Sequence, residues 1–243
     1  MNKKIFVAGA LLCASTLVFA QSQSVQKKSS TSNETYVENE YLNDIDTEII
    51  MGLAEADDLD NKLVALQYIQ DAIDEGNTSA GVIEALDKLS GEGVLSESRT
   101  NGRKVNNFPE VRRQACLLMS KVPTEHTKNQ LISVAIADDE PMVIAAAVQS
   151  LAVIQPEEAD EVIDAIAWAN KRNQALNPTS SLAWEVVDAY EKLAPLASNR
   201  KVMIESLTKI AAEYRYSTPV RQKAQKLLKT LSNTNSSKNS DAK

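Results

Sequence analysis

Few side chains of the chain have the chemistry for catalysis. His126 is the 1 histidine, and it stands in Pro123-Thr124-Glu125-His126-Thr127-Lys128. No second histidine or cysteine follows at a ligand spacing, so carboxylates alone would have to complete a zinc site; the residue reads as an exposed start to a helix. Cys116 becomes a nucleophile only where a basic neighbour lowers its pKa. Arg112 and Arg113 lie one turn before it, yet no histidine pairs with it, and it reads as a semi-buried helical cysteine. Glu157, Glu158, Asp160, Glu161 and Asp164 crowd a helix start, where negative charge complements the helix dipole without an acid–base role. The sequence holds no glycine-rich phosphate loop, nucleophile elbow or calcium loop. The expectation is a chain without catalytic, cofactor or metal residues, and not an enzyme.

Residues suited to recognition are better represented. Trp168 falls with Glu161, Asp164 and Arg172, opposite a stripe formed by Val162 and Ile166, at about 100° per residue. Trp184 falls with Asp188 and Glu191, away from Leu182 and Val186. A large aromatic on the polar side of a helix is an interface anchor, or else it packs a neighbouring helix on that side. The stretch from Gly91 to Asn107 holds three glycines, no sustained period, and the bases Arg99, Arg103 and Lys104. A connection that long either carries function or is a tolerated insertion. Arg99, Arg103, Lys104, Trp168 and Trp184 are therefore the candidate partner contacts.

Charge is unevenly placed. Net charge is -7, yet acids outnumber bases 17 to 3 between Glu34 and Arg99, and bases outnumber acids 10 to 3 between Ser198 and Lys243. Opposite fields at the two ends can steer a partner or favour head-to-tail self-association; as solvated helix faces they contribute little. An acidic total argues against nucleic acid as a partner.

What must position these groups is a set of helices. With 43% hydrophobic residues and only 7 Gly and 7 Pro, the chain lacks the turns a strand-rich fold needs. Tyr41, Ile45, Ile49 and Leu53 predict a first, capping helix with one buried stripe; Leu131, Ile132, Ala135 and Ile136 predict the stripe of a later one. A repeat runs through the series. Pro109, Val111, Arg112 and Ala115 return as Pro141, Val143, Ile144 and Ala147, 32 residues on, and Val220, Arg221 and Ala224 reproduce the same offsets after Pro219. Val111, Val143, Leu182 and Val220 mark units 32, 39 and 38 residues apart, with Lys62 and Ala65 an earlier member. About 40 residues is the length of two helices and two turns.

The Pro-x-Val-Arg-x-x-Ala pattern at 109–115, weaker at 141–147 and with its proline shifted at 219–224, resembles the HEAT repeat of armadillo-like α-solenoids. Taken with DNKLVALQYI at 60–69, NGRKVNNFPEVR at 101–112 and ADDEPMV at 137–143, it is similar to exported bacterial HEAT-repeat proteins, a group whose function is usually unassigned. The resemblance covers residues 36–231. It implies an all-α, right-handed α-solenoid of four to five antiparallel helix hairpins. Ile144 and Ala183 replace the repeat arginine, so a full Arg–Asp ladder is not expected, and Arg112 with the Asp138-Asp139 turn is the one bridge predicted.

The remaining segments complete the layout. Residues 1–20 carry two lysines and an apolar run ending Val18-Phe19-Ala20, which predicts a signal peptide cleaved near Ala20 and Gln21. Leu12 before Cys13, with the apolar run continuing beyond it, disfavours a lipoprotein. Residues 21–35 predict a disordered linker and 232–243 a disordered polar tail. Loss of Cys13 leaves Cys116 alone, so no internal disulfide forms. The functional expectation is a non-enzymatic protein-binding or scaffolding module of the periplasm or cell envelope, secreted, without a transmembrane helix in the mature chain or a cofactor, and with a protein or peptide partner. The second reading is an accessory enzyme, or a protein handling a small ligand or cofactor, on the same solenoid.

Overall fold

Pro109 and Pro141 each take the first turn of a helix, where the missing N–H costs nothing and the fixed φ suits the geometry. In the computed structural model, which describes residues 45–155, 157 and 159–240 with side chains to 233, helices account for nearly everything. They are α1 (45–55), α2 (Leu59–Asp74), α3 (Ala80–Gly91), α4 (Pro109–Met119), α5 (Glu125–Ala137), α6 (Pro141–Ile154), α7 (Ala159–Leu176), α8 (Ser180–Leu193), α9 (Lys201–Ala212) and α10 (Thr218–Ser240). The predicted signal peptide, the linker and residues 36–44, with Cys13 and Tyr41, lie outside the described residues, as do Pro156 and Glu158.

Local chemistry sets the helix ends. The Asp58 carboxylate accepts from the Asn61 backbone N–H at 2.9 Å to open α2, and the Thr124 hydroxyl accepts from the Thr127 N–H at 3.1 Å to open α5. Gln155, in the left-handed region at φ 48°, closes α6.

The helices pack in two series. Helices α2, α4, α6, α8 and α10 touch one another in turn, α3, α5, α7 and α9 do the same, and from α2 to α10 each helix also touches the next in sequence. Helix α6 packs against α4, α5, α7 and α8, so its sequence is apolar almost all round, with Val143, Ile144, Ala147, Val148 and Leu151 all buried. Ala115, Ala147 and Ala224 are fully buried, and their small size lets backbones approach, while Val111, Val143 and Val220 fill the space beside them. Each fully buried valine or leucine contributes about 1.5–3 kcal/mol. No helix among the described residues is long and apolar enough to cross a membrane.

Two stripes differ from expectation. In α1, Ile45 and Ile49 are exposed, and Ile50 and Ala54 are buried instead. The sequence offers isoleucines side by side at 49 and 50, and docking to α3 through Thr47 with Ser79 and Lys88 with Glu55 chooses between them. In α5, Ile136 is exposed and Val134 takes the buried position. At the other end, α10 continues to Ser240 through the stretch predicted to be a disordered tail. No glycine or proline follows Pro219 to stop the helix, and Leu231 is the last buried side chain among those described.

Buried ion pairs tie a helix to the end of the one that follows it. Arg112 is 1% exposed; its Nε donates to Asp138 Oδ2 at 2.6 Å, and its Nη1 donates to Asn107 Oδ1 at 2.8 Å and to the Glu92 carbonyl at 3.2 Å. Arg112 is not alone in this role. Lys62 precedes Ala65 at the offset by which Arg112 precedes Ala115, and its buried ammonium pairs with Glu92 Oε1 at 2.6 Å and donates to the Ala54 carbonyl at 3.0 Å. Both acids, Glu92 and Asp138, sit just past the end of the following helix. Burial pushes the Glu92 carboxyl above the usual range, opposed by Lys62 and Arg112.

Candidate functional site

The stretch from Gly91 to Asn107 is built, not irregular. Strands β1 (Arg99–Thr100) and β2 (Arg103–Lys104) pair antiparallel around Asn101-Gly102, whose φ angles of 50° and 79° are both positive. That is the two-residue turn for which Asn-Gly is the strongest short-range signal. Like charges would repel across this pair, since Arg99 faces Lys104. Glu97 resolves the conflict: its Oε1 lies 2.7 Å from Lys104 Nζ and its Oε2 lies 2.8 Å from Arg99 Nη2. Lys104 and then Arg99 hold the Glu97 carboxyl below the usual range. Lys104 also donates to the Gly93 carbonyl at 2.5 Å, and the Asn106 amide binds the Ser96 carbonyl and the Ser98 N–H. Two of the three candidate bases are thus committed inside the loop; Arg103 alone has no ion pair among the described residues.

Trp184 is 40% exposed on α8, but a cation already covers it. Lys223 Nζ of α10 lies 4.3 Å from the ring centroid and 2.6 Å from Asp188 Oδ1, and Lys192 lies 3.1 Å from Asp188 Oδ2. Lys223, then Lys192, hold the Asp188 carboxyl below its usual range. Ring, cation and carboxylate together fasten α10 to α8.

Trp168 is 46% exposed on α7, in the other helix series. The structure therefore does not bring the two tryptophans together. Val162, Ile163, Ile166 and Ala169 turn inward and leave Asp164, Trp168 and Lys171 on the outer face. The Arg172 guanidinium lies 5.6 Å from the Trp168 centroid and is itself pinned by the carbonyls of Ile136 and Asp138, at 2.8 and 2.9 Å, and by the Asp139 carboxylate. Beside the ring, a groove of about 280 Å³ runs between α7 and α9. Asn170 and Ser206 line it, both buried: Asn170 Nδ2 donates to Ser206 Oγ at 3.2 Å, while Asn170 Oδ1 is buried without a partner. The sequence pattern places Asn170 in the buried stripe of α7; an amide among Val162, Ile163 and Ile166 was the available signal, and Ser206 carried none.

Catalytic chemistry finds no such arrangement among the described residues. Burial pushes the Cys116 thiol far up, and nearby Asp138 adds to the effect, which keeps it protonated and unreactive. His126 is exposed in the first turn of α5 and meets only Asp87 Oδ2, at 2.5 Å. No group of three or more His, Cys, Asp or Glu side chains among the described residues is arranged to hold a metal. Compared with known proteins, the chain matches no family model, no curated protein and no solved structure.

Proposed function

We propose that the chain is a right-handed, HEAT-like α-solenoid of four to five hairpins, of the exported bacterial type, that serves as a non-enzymatic protein-binding or scaffolding module of the periplasm or cell envelope. The repeat positions support the architecture. Val111, Val143, Leu182 and Val220 fall in α4, α6, α8 and α10, consecutive members of one helix series, so the sequence period and the packing order coincide. The two buried bridges, Lys62 to Glu92 and Arg112 to Asp138, recur at equivalent positions of neighbouring hairpins. The leader-like residues 1–20 support export.

The observation that carries the binding role is Trp168, a half-exposed aromatic fixed on one side by Arg172 and open on the other to a polar groove. A rigid aromatic loses little entropy on docking, and a helix-borne groove holds its shape. Immobilised mature chain should retain a protein from envelope extracts, and Trp168→Ala should lose it with its helical content unchanged. Equal retention by the two would sink this reading. Opposed charges at the two ends, if they drive self-association, should produce oligomers that dissolve as salt is raised.

A further inference from the structure

The charged groups around Trp168 differ from those nearby. Glu161, Arg172 and Glu213 are committed to Lys128, Asp139 and Arg215. Asp164 and Lys171 of α7, and Glu205 and Lys209 of α9, line the groove with no ion pair among the described residues. Their order is not random. Asn170 meets Ser206 and Gln174 meets Glu213, so α7 and α9 run in the same direction along the groove. Asp164 and Glu205 consequently lie towards one end and Lys171 and Lys209 towards the other. The offset is about 6 Å from Glu205 to Lys209 and about 10 Å from Asp164 to Lys171. The groove has an acidic end, a basic end, an aromatic wall and, between the ends, a buried amide oxygen that lacks a donor.

Resting on the reading of the chain as a protein-binding module, we propose that this groove grips an extended stretch of partner polypeptide carrying one cationic and one anionic side chain two residues apart. Residues i and i+2 of an extended chain share a face and stand about 6.8 Å apart, close to the rise of about 6 Å from Glu205 to Lys209. The cation meets Asp164 and Glu205, and the anion meets Lys171 and Lys209. Trp168 covers the apolar side of the segment.

The test uses the mature chain carrying Trp184→Phe, so that Trp168 is the only tryptophan, and end-blocked pentapeptides of alanine with charged residues at positions two and four. The Lys/Glu and Glu/Lys peptides, which present the same dipole when reversed in direction, should both shift Trp168 emission saturably and bind at least tenfold more tightly than the Lys/Lys and Glu/Glu peptides. The double variant Glu205→Lys with Lys209→Glu keeps the net charge and changes only exposed positions; it should fold normally and lose the preference. Equal binding of all four peptides, binding of none, or a preference that survives the double variant would overturn the proposal. If envelope capture depends on Trp168 while no dipolar peptide binds, the module reading stands and this inference falls; if capture also fails to depend on Trp168, both fall.

Discussion

Arg112→Ala tests how α4 is held to the end of α5 and to the end of α3. The guanidinium is 1% exposed and serves three acceptors at once: the Asp138 carboxylate, the Asn107 side-chain oxygen and the Glu92 carbonyl. Truncation leaves a carboxylate that is itself buried without a counter-charge, together with two acceptors that lose their donor. Removing one partner of a buried pair costs about 3–5 kcal/mol. In equilibrium urea unfolding followed by helical circular dichroism, that loss moves the midpoint down by about 1–2.5 M for an m value of about 2–3 kcal/mol/M. Arg112→Lys should recover little, because one ammonium cannot span acceptors on three segments. Replacing both partners with apolar residues, Arg112→Met with Asp138→Leu, should recover part of the loss. Recovery stays incomplete because Asp138 Oδ1 also accepts from the Glu140 N–H at 2.9 Å. A midpoint shift equivalent to less than about 1 kcal/mol for Arg112→Ala, against the cost expected of a buried charge, would refute the reasoning.

Other consequences can be measured with similar variants. Gly93 has φ 72°, and a Cβ there would overlap the Asn106 carbonyl oxygen, whereas Gly102, at φ 79°, faces open space. Gly102→Ala should therefore cost only the left-handed penalty of about 1 kcal/mol, and Gly93→Ala clearly more; equal melting temperatures would count against the packed loop. Lys62→Met removes the chief counter-charge of Glu92, whose carboxyl burial already raises. A raised carboxyl favours the fold when protonated, so its contribution is present at low pH and lost as pH rises through the folded pKa. The variant should thus be destabilised more at pH 8 than at pH 5, by about 1 kcal/mol or more, and a pH-independent difference would contradict this. Asp188 behaves in the opposite sense, its carboxyl being lowered by Lys223: its contribution is present above the ordinary aspartate value and lost as pH falls through the folded pKa. With Trp168→Phe, Trp184 emission should change below about pH 3.9, the ordinary aspartate value, and Asp188→Asn should abolish that transition.

The legible and illegible parts divide along physical lines. Helical stripes such as Val111, Ala115, Leu118 and Met119 could be read because burial on one face imposes a period of 3.6 residues whatever the neighbours are. The bridge from Arg112 was legible because the repeat offset points it at the Asp138 turn. The hairpin at Asn101-Gly102 was also written in the sequence, as a turn signal that helical composition masked. Lys62 was harder to see, since a lysine in an apolar stripe is buried only if an acid such as Glu92 arrives from another helix.

The sequence by itself determined an all-helical chain, its helix starts at Pro109 and Pro141, and a repeat of about 40 residues, because these depend on backbone preference and on periodicity along one segment. Only the tertiary structure decided that Ile50 rather than Ile49 is buried, that Lys223 covers Trp184, and that Trp168 stands beside a groove with unpaired charges at both ends. Each of these depends on which side chains of separate helices meet across α1 and α3, α8 and α10, or α7 and α9. A pattern within one helix does not encode that meeting.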